Sequence, residues 1–150
     1  MPEYSDEKLF FKKLTSYLSN YGFNKLEEEH SNLFSVITYR AEAGIYLKVD
    51  VEYLDQLIIM NIGNRYCYKG NTDQCYIKGN YEKVLNMLNI EYSTDCMKIN
   101  RHKSWKSFES NFFDFLNNTF PIVTNSINDE LLTLIDESGV QLSSDFIKSK

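Results

Sequence analysis

Residues 45–52 alternate without a break. Ile45, Leu47, Val49 and Val51 fall on one side, and Tyr46, Lys48, Asp50 and Glu52 on the other. Side chains of a strand point alternately to opposite faces, so this stretch reads as a strand with one buried and one polar face. Such a strand cannot stand alone. It needs neighbours that share its two-sidedness, and antiparallel sheets supply them. The flanking chain does so. Phe23 to about Arg40 reads as strands with a turn near Ser31-Asn32, Leu33–Tyr39 being β-branched and aromatic, and Ala43-Gly44 breaks the chain before the alternating stretch. Leu57–Ile62 is a nearly continuous apolar run, suited to a more buried strand. Tyr66-Cys67-Tyr68 and Cys75-Tyr76-Ile77 flank the turn-forming Lys69–Asp73 and read as a hairpin. The expectation is a β-meander of four to six strands.

Helical periodicity brackets this block. Phe10, Leu14, Tyr17, Leu18 and Tyr21 recur at helical spacing, after acids in a first turn near Ser5 and before Gly22 as a C-terminal stop. After the strands, Tyr81–Leu88 forms a short helical pattern. Trp105, Phe108, Phe112, Phe115 and Leu116 then form a strong apolar stripe from about Ser104 to Asn118. Pro121 is expected to end that helix, and Ser126 to cap a final one carrying Ile127, Leu131, Leu134 and Ile135. Helix, grouped strands, then grouped helices specify an α+β fold with the C-terminal helices packed on the sheet. At 150 residues the chain suits a single domain, residues 1–150, whose polar stretch 143–150 reads as a loose tail. Eleven Tyr and ten Phe predict a core built on rings, with spare Tyr left for the surface.

Charge narrows the choice of partner. The net charge is −5, which disfavours direct nucleic-acid binding, since that depends on Lys and Arg meeting phosphates. The charge is unevenly spread. Residues 1–60 carry six bases and ten acids, residues 61–110 eight and five, and residues 111–150 two and six. Lys98, Arg101, His102, Lys103 and Lys106 gather around Trp105 and oppose the dipole of the helix starting there, which calls for a compensating acid. No run approaches the ~20 apolar residues of a membrane span. The acidic start, Met1–Glu7, does not resemble a leader, so a cytoplasmic protein with free thiols is expected.

Standard catalytic constellations find little support. There is no C-x-x-C pair, no H-E-x-x-H helix and no glycine-rich phosphate loop. Cys67 and Cys75 are better explained as facing positions of the hairpin than as metal ligands. Three Cys and two His lack any local motif for a nucleophilic dyad. Lys48, Asp50 and Glu52 share one strand face, and a metal-dependent hydrolase could use them, although their order reverses the usual acid-x-Lys pattern. No cofactor is implied. The remaining reading is a protein-binding surface. Glu27, Glu28 and Glu29 form the densest charge cluster, with Glu27 and Glu29 on one face of their strand and Glu28 on the other. Together with Tyr46, Asp50, Glu52, Tyr53 and Asp55 they make the candidate partner-binding set. The same charges would keep an edge strand from pairing with another chain.

The pattern Phe10-x-x-x-Leu14-x-x-Tyr17-Leu18, then Tyr21-Gly22-Phe23, an acidic strand, Tyr39 and the alternating Ile45–Val51 resembles small bacterial immunity proteins of polymorphic and contact-dependent toxin systems. It covers roughly the first 65 residues, at the level of architecture. The resemblance implies a cytosolic protein without enzymatic activity that occludes the active site of a basic toxin, often a nuclease. A phage or mobile-element anti-defence factor would share these features.

Overall fold

The computed structural model describes residues 4–42, 44–63 and 80–126. The Cys67/Cys75 hairpin, the helix expected around 127–135 and the tail at 143–150 lie outside the described residues. The elements run α1 (Tyr4–Ser19), β1 (Asn24–His30), β2 (Phe34–Arg40), β3 (Tyr46–Glu52), β4 (Leu57–Gly63), α2 (Tyr81–Met87), two 3₁₀ turns (Thr94–Met97 and Ile99–Arg101) and α3 (Trp105–Ser126). The four strands form one antiparallel sheet in the order β1-β2-β3-β4. This is the α+β arrangement, with four strands of the meander among the described residues.

The turns follow from local chemistry. Gly22 takes φ 83° after α1, where a side chain would be strained. Ser31 closes the β1–β2 turn: its hydroxyl accepts from the backbone N–H of Leu33 at 3.1 Å and of Phe34 at 3.2 Å. Asn80 caps α2 by accepting from the Glu82 N–H at 2.9 Å.

The helices lie on one face of the sheet. The inward residues of the alternating strand, Leu47, Val49 and Val51, are fully buried, as are Ile37, Tyr39 and Ile62 beside them. The helical stripes meet them as rings. Phe10 of α1 sits among Phe11, Trp105, Phe112 and Phe113, with centroids 5.3–5.7 Å away. Phe120 makes a second hub with Tyr17, Tyr21, Phe23 and Tyr81. Buried hydroxyls are paired in between: Tyr81 with Thr119 at 2.9 Å, and Tyr39 with Thr15 at 3.0 Å. Burial pushes the Tyr39 phenol up to about 12.

Pro121 does not end the third helix, which continues to Ser126. Proline inside a helix forfeits one backbone bond and costs about 3 kcal/mol. Phe120 and Val123, on either side of it, are both fully buried. Each such side chain contributes roughly 1.5–3 kcal/mol by leaving water. Their combined burial exceeds the proline penalty, so packing overrides the local break. Ser104 caps the start of this helix, accepting from the Ser107 N–H at 3.1 Å.

Candidate functional site

Register decides which of the charged residues act together. Glu29 stands opposite Val36, which stands opposite Asp50, which stands opposite Ile59. Glu27 begins the adjacent row, opposite Thr38, Lys48 and Asn61 in turn. Glu52 lies beyond, between Phe34 and Leu57. All of these alternate with core residues, so they occupy the sheet face turned away from α1 and α3. With strands about 4.8 Å apart, Glu29 and Asp50 stand roughly 10 Å from each other. Tyr46 shares this face, with the Arg40 guanidinium 5.8 Å from its ring centre. Four acids, Glu27, Glu29, Asp50 and Glu52, therefore share a face with two bases, Lys48 and Arg40.

Asp50 is the most enclosed of these acids. Its side chain is 17% exposed, against 41% for Lys48, whose Nζ lies 3.7 Å from the Asp50 carboxylate. Burial pushes the Asp50 carboxyl above the usual range, Lys48 opposes that shift and Glu52 adds to it. A carboxylate poised this way is under-compensated.

Three members of the expected set are placed differently. Glu28 faces the helix side, opposite Ile37. Tyr53 is not a surface ring: it is 7% exposed and its hydroxyl bonds to buried Ser35. Asp55 is exposed in the β3–β4 turn, at the rim of the acidic face. Strand parity accounts for Tyr53: it follows Leu47, Val49 and Val51 in the inward series, and is not on the side of Tyr46, Asp50 and Glu52.

The helix side of β1 holds a chain of hydrogen bonds that no sequence signal suggested. A bulge between Lys25 and Glu27 places both Lys25 and Glu28 on that side, where they form a 2.8 Å ion pair. Glu28 also meets His30 Nε2 at 2.9 Å, and His30 Nδ1 meets Ser35 Oγ at 2.8 Å. The carboxylate can only accept, so Nε2 carries the proton in the neutral ring. Nδ1 then accepts from Ser35, which in turn accepts from Tyr53. Lys25 first, then His30, hold the Glu28 carboxyl below its ordinary value. Glu, His and Ser in this order match the composition of a hydrolase triad. Ser35, however, is fully buried, and a nucleophile must reach its substrate. The chain instead ties β1 to β2 and to the end of β3.

Other chemistry is weaker still. Among the described residues no group of three His, Cys, Asp or Glu side chains could hold a metal ion, so Asp50 and Glu52 lack a third ligand there. The Cys96 thiol is pushed up by burial and then by Asp95 and Asp114, which disfavours the reactive thiolate. In the basic segment, Arg101 lies 3.9 Å from Asp95, and His102 Nε2 donates to the Asp95 carbonyl at 2.9 Å. Asp95 is thus one compensating acid for that segment. Among the described residues no helix is long and apolar enough to cross a membrane. No family model, curated protein or solved structure matches the chain.

Proposed function

We propose that this protein is a stoichiometric inhibitor of the immunity-protein kind. It docks the acidic face of its sheet on a basic partner, a cognate toxin with a nuclease-like cleft, and covers that partner's active site. One observation carries this reading: Glu27, Glu29, Asp50 and Glu52 converge with Tyr46 on a single sheet face. Acids held on a rigid sheet present a preorganised negative field, which speeds encounter with a basic surface and selects against acidic ones. The Tyr46 ring adds contact area at low entropic cost. The under-compensated Asp50 supplies a position where a partner's Lys or Arg gains more than at a fully solvated acid.

The test uses immobilised protein to isolate a basic partner from the native host, followed by kinetics with the purified pair. The partner's activity should fall to zero at a one-to-one ratio. Association should slow steeply with added salt. Asp50→Lys combined with Glu52→Lys should cut the association rate by about tenfold or more and flatten its salt dependence. An unchanged rate in the doubly reversed protein would remove this face from consideration.

A further inference from the structure

The two most exposed large apolar side chains among the described residues stand together at one end of the sheet. Leu54 is 82% exposed and Leu33 is 64% exposed. Leu33 belongs to the turn between β1 and β2, and Leu54 to the turn between β3 and β4. The two turns are neighbours because β2 and β3 pair from Phe34 and Glu52 onward, and the Tyr53 N–H donates to the Leu33 carbonyl at 3.0 Å. Both turns are braced. In the first, the Ser31 N–H donates to the Phe34 carbonyl at 2.8 Å, and the Ser31 hydroxyl accepts from Leu33 and Phe34. In the second, Gln56 takes φ 53°, a left-handed conformation that few side chains adopt, and its carbonyl accepts from the Ile99 N–H at 2.8 Å. Strained backbone held by tertiary contacts recurs where a fold presents side chains to a ligand.

A lone exposed leucine is ordinary. Two on adjacent braced turns, rimmed by polar groups, have the form of a contact patch. The rim selects the occupant. Glu52 ends β3 on the acidic face, and Asp55 directly follows Leu54. Neither acid makes an ion pair among the described residues. Lys98, brought beside Leu57 by a backbone bridge, pairs with neither. An anionic membrane, or the same patch on a second copy of this chain, would set negative charge against these acids. A basic protein surface would complement them.

We propose that Leu33 and Leu54 are the apolar anchor of the partner interface, seated in an apolar socket beside the partner's basic cleft, with Glu52 and Asp55 against its cations. The inference rests on the docking of the acidic face and extends that contact to the end of the sheet. Charges govern how fast such a complex forms, and buried apolar side chains govern how long it lasts. The test measures both rates for the full-length protein and the purified basic partner. Leu33→Ser and Leu54→Ser should each speed dissociation by about tenfold, and together by about 100-fold. Association and its salt dependence should stay within about twofold of the parent. Leu54→Met, which keeps the apolar bulk, should dissociate as the parent does. Ile122→Ser is the control: Ile122 is 47% exposed on α3 near the opposite end, where Phe120 packs on Tyr21 and Phe23, and its loss should change neither rate.

Leu33 and Leu54 are exposed, so their variants keep the core, and fluorescence of the buried Trp105 checks this. Leucine variants that dissociate as slowly as the parent would overturn the anchor and leave the acidic face standing. The reverse pattern, faster dissociation in the leucine variants with unchanged association in Asp50→Lys combined with Glu52→Lys, would keep the anchor and remove the acidic face. Failure to isolate any basic partner would overturn both. Self-association of the parent that Leu54→Ser abolishes would give the patch to a second copy and overturn the assignment.

Discussion

Among the described residues β1 and β4 stand at the two ends of the sheet; both are seven residues long, yet they handle exposure in opposite ways. β1 buries no residue, is kinked by a bulge and carries three successive glutamates. β4 alternates buried Ile58, Met60 and Ile62 with half-buried residues, and its outer side is met by bridges from Lys98 to Leu57 and from Asn80 to Asn61. An exposed strand edge is a template for pairing with another chain. Charge and a bulge blunt it in β1, while in β4 later parts of the chain occupy part of it. The first device is written in consecutive residues. The second depends on where distant segments come to rest.

The sharpest way to break the comparison is to remove one apolar side chain from each edge strand. Met60→Ala should cost about 2–5 kcal/mol in urea denaturation, because Met60 is fully enclosed and leaves a cavity. Leu26→Ala, at the 44%-exposed bulge of β1, should change stability by less than about 0.5 kcal/mol. Comparable losses at both sites would mean that β1 is far more enclosed than its pattern suggests.

A second substitution isolates the role of charge at the bare edge. Replacing Glu27, Glu28 and Glu29 together by Thr keeps strand propensity and removes three negative charges. Light scattering and sedimentation should then show concentration-dependent self-association that the parent lacks. A variant that remained monomeric at every concentration would assign edge protection to the bulge alone.

The smallest effect concerns pH. The Asp50 carboxyl is raised in the fold, so its ionised form is disfavoured there relative to the unfolded chain. The folded protein therefore gains stability as pH falls through the Asp50 titration, and carries a penalty above it. Asp50→Asn should raise stability at neutral pH by less than about 1 kcal/mol, and that advantage should shrink on acidification. Glu28 has the opposite sign. Its carboxyl is lowered by Lys25 and His30, so its contribution is present at neutral pH and lost as acid protonates it. A pH profile of Asp50→Asn parallel to that of the parent would show that Asp50 is compensated in the fold.

Much of the architecture was legible in residue order. Alternation at 45–52 marked β3 residue by residue, and the aromatic stripe marked α3 from Trp105. The faces of Glu27 and Glu29 followed from the simple parity of a strand, and the register brought them level with Lys48 and Asp50. Gly22 stopped the first helix because its φ of 83° suits few other residues. These features rest on interactions within a few residues, where sequence periodicity and backbone geometry are the same information.

Only the tertiary structure decided the rest. The bulge moved Lys25 across the sheet to meet Glu28, because register is a contract between two strands and not a property of one. Parity turned Tyr53 inward, but its partner Ser35, eighteen residues earlier in the chain, was fixed only by the pairing of β2 with β3. The third helix ran through Pro121, because Phe120 and Val123 gained more by burial in a distant core than the proline lost locally. Local sequence thus determined the elements and the charges they carry. Long-range packing determined which of those charges face one another, because burial energy is collected across the whole core and can outweigh any single local preference.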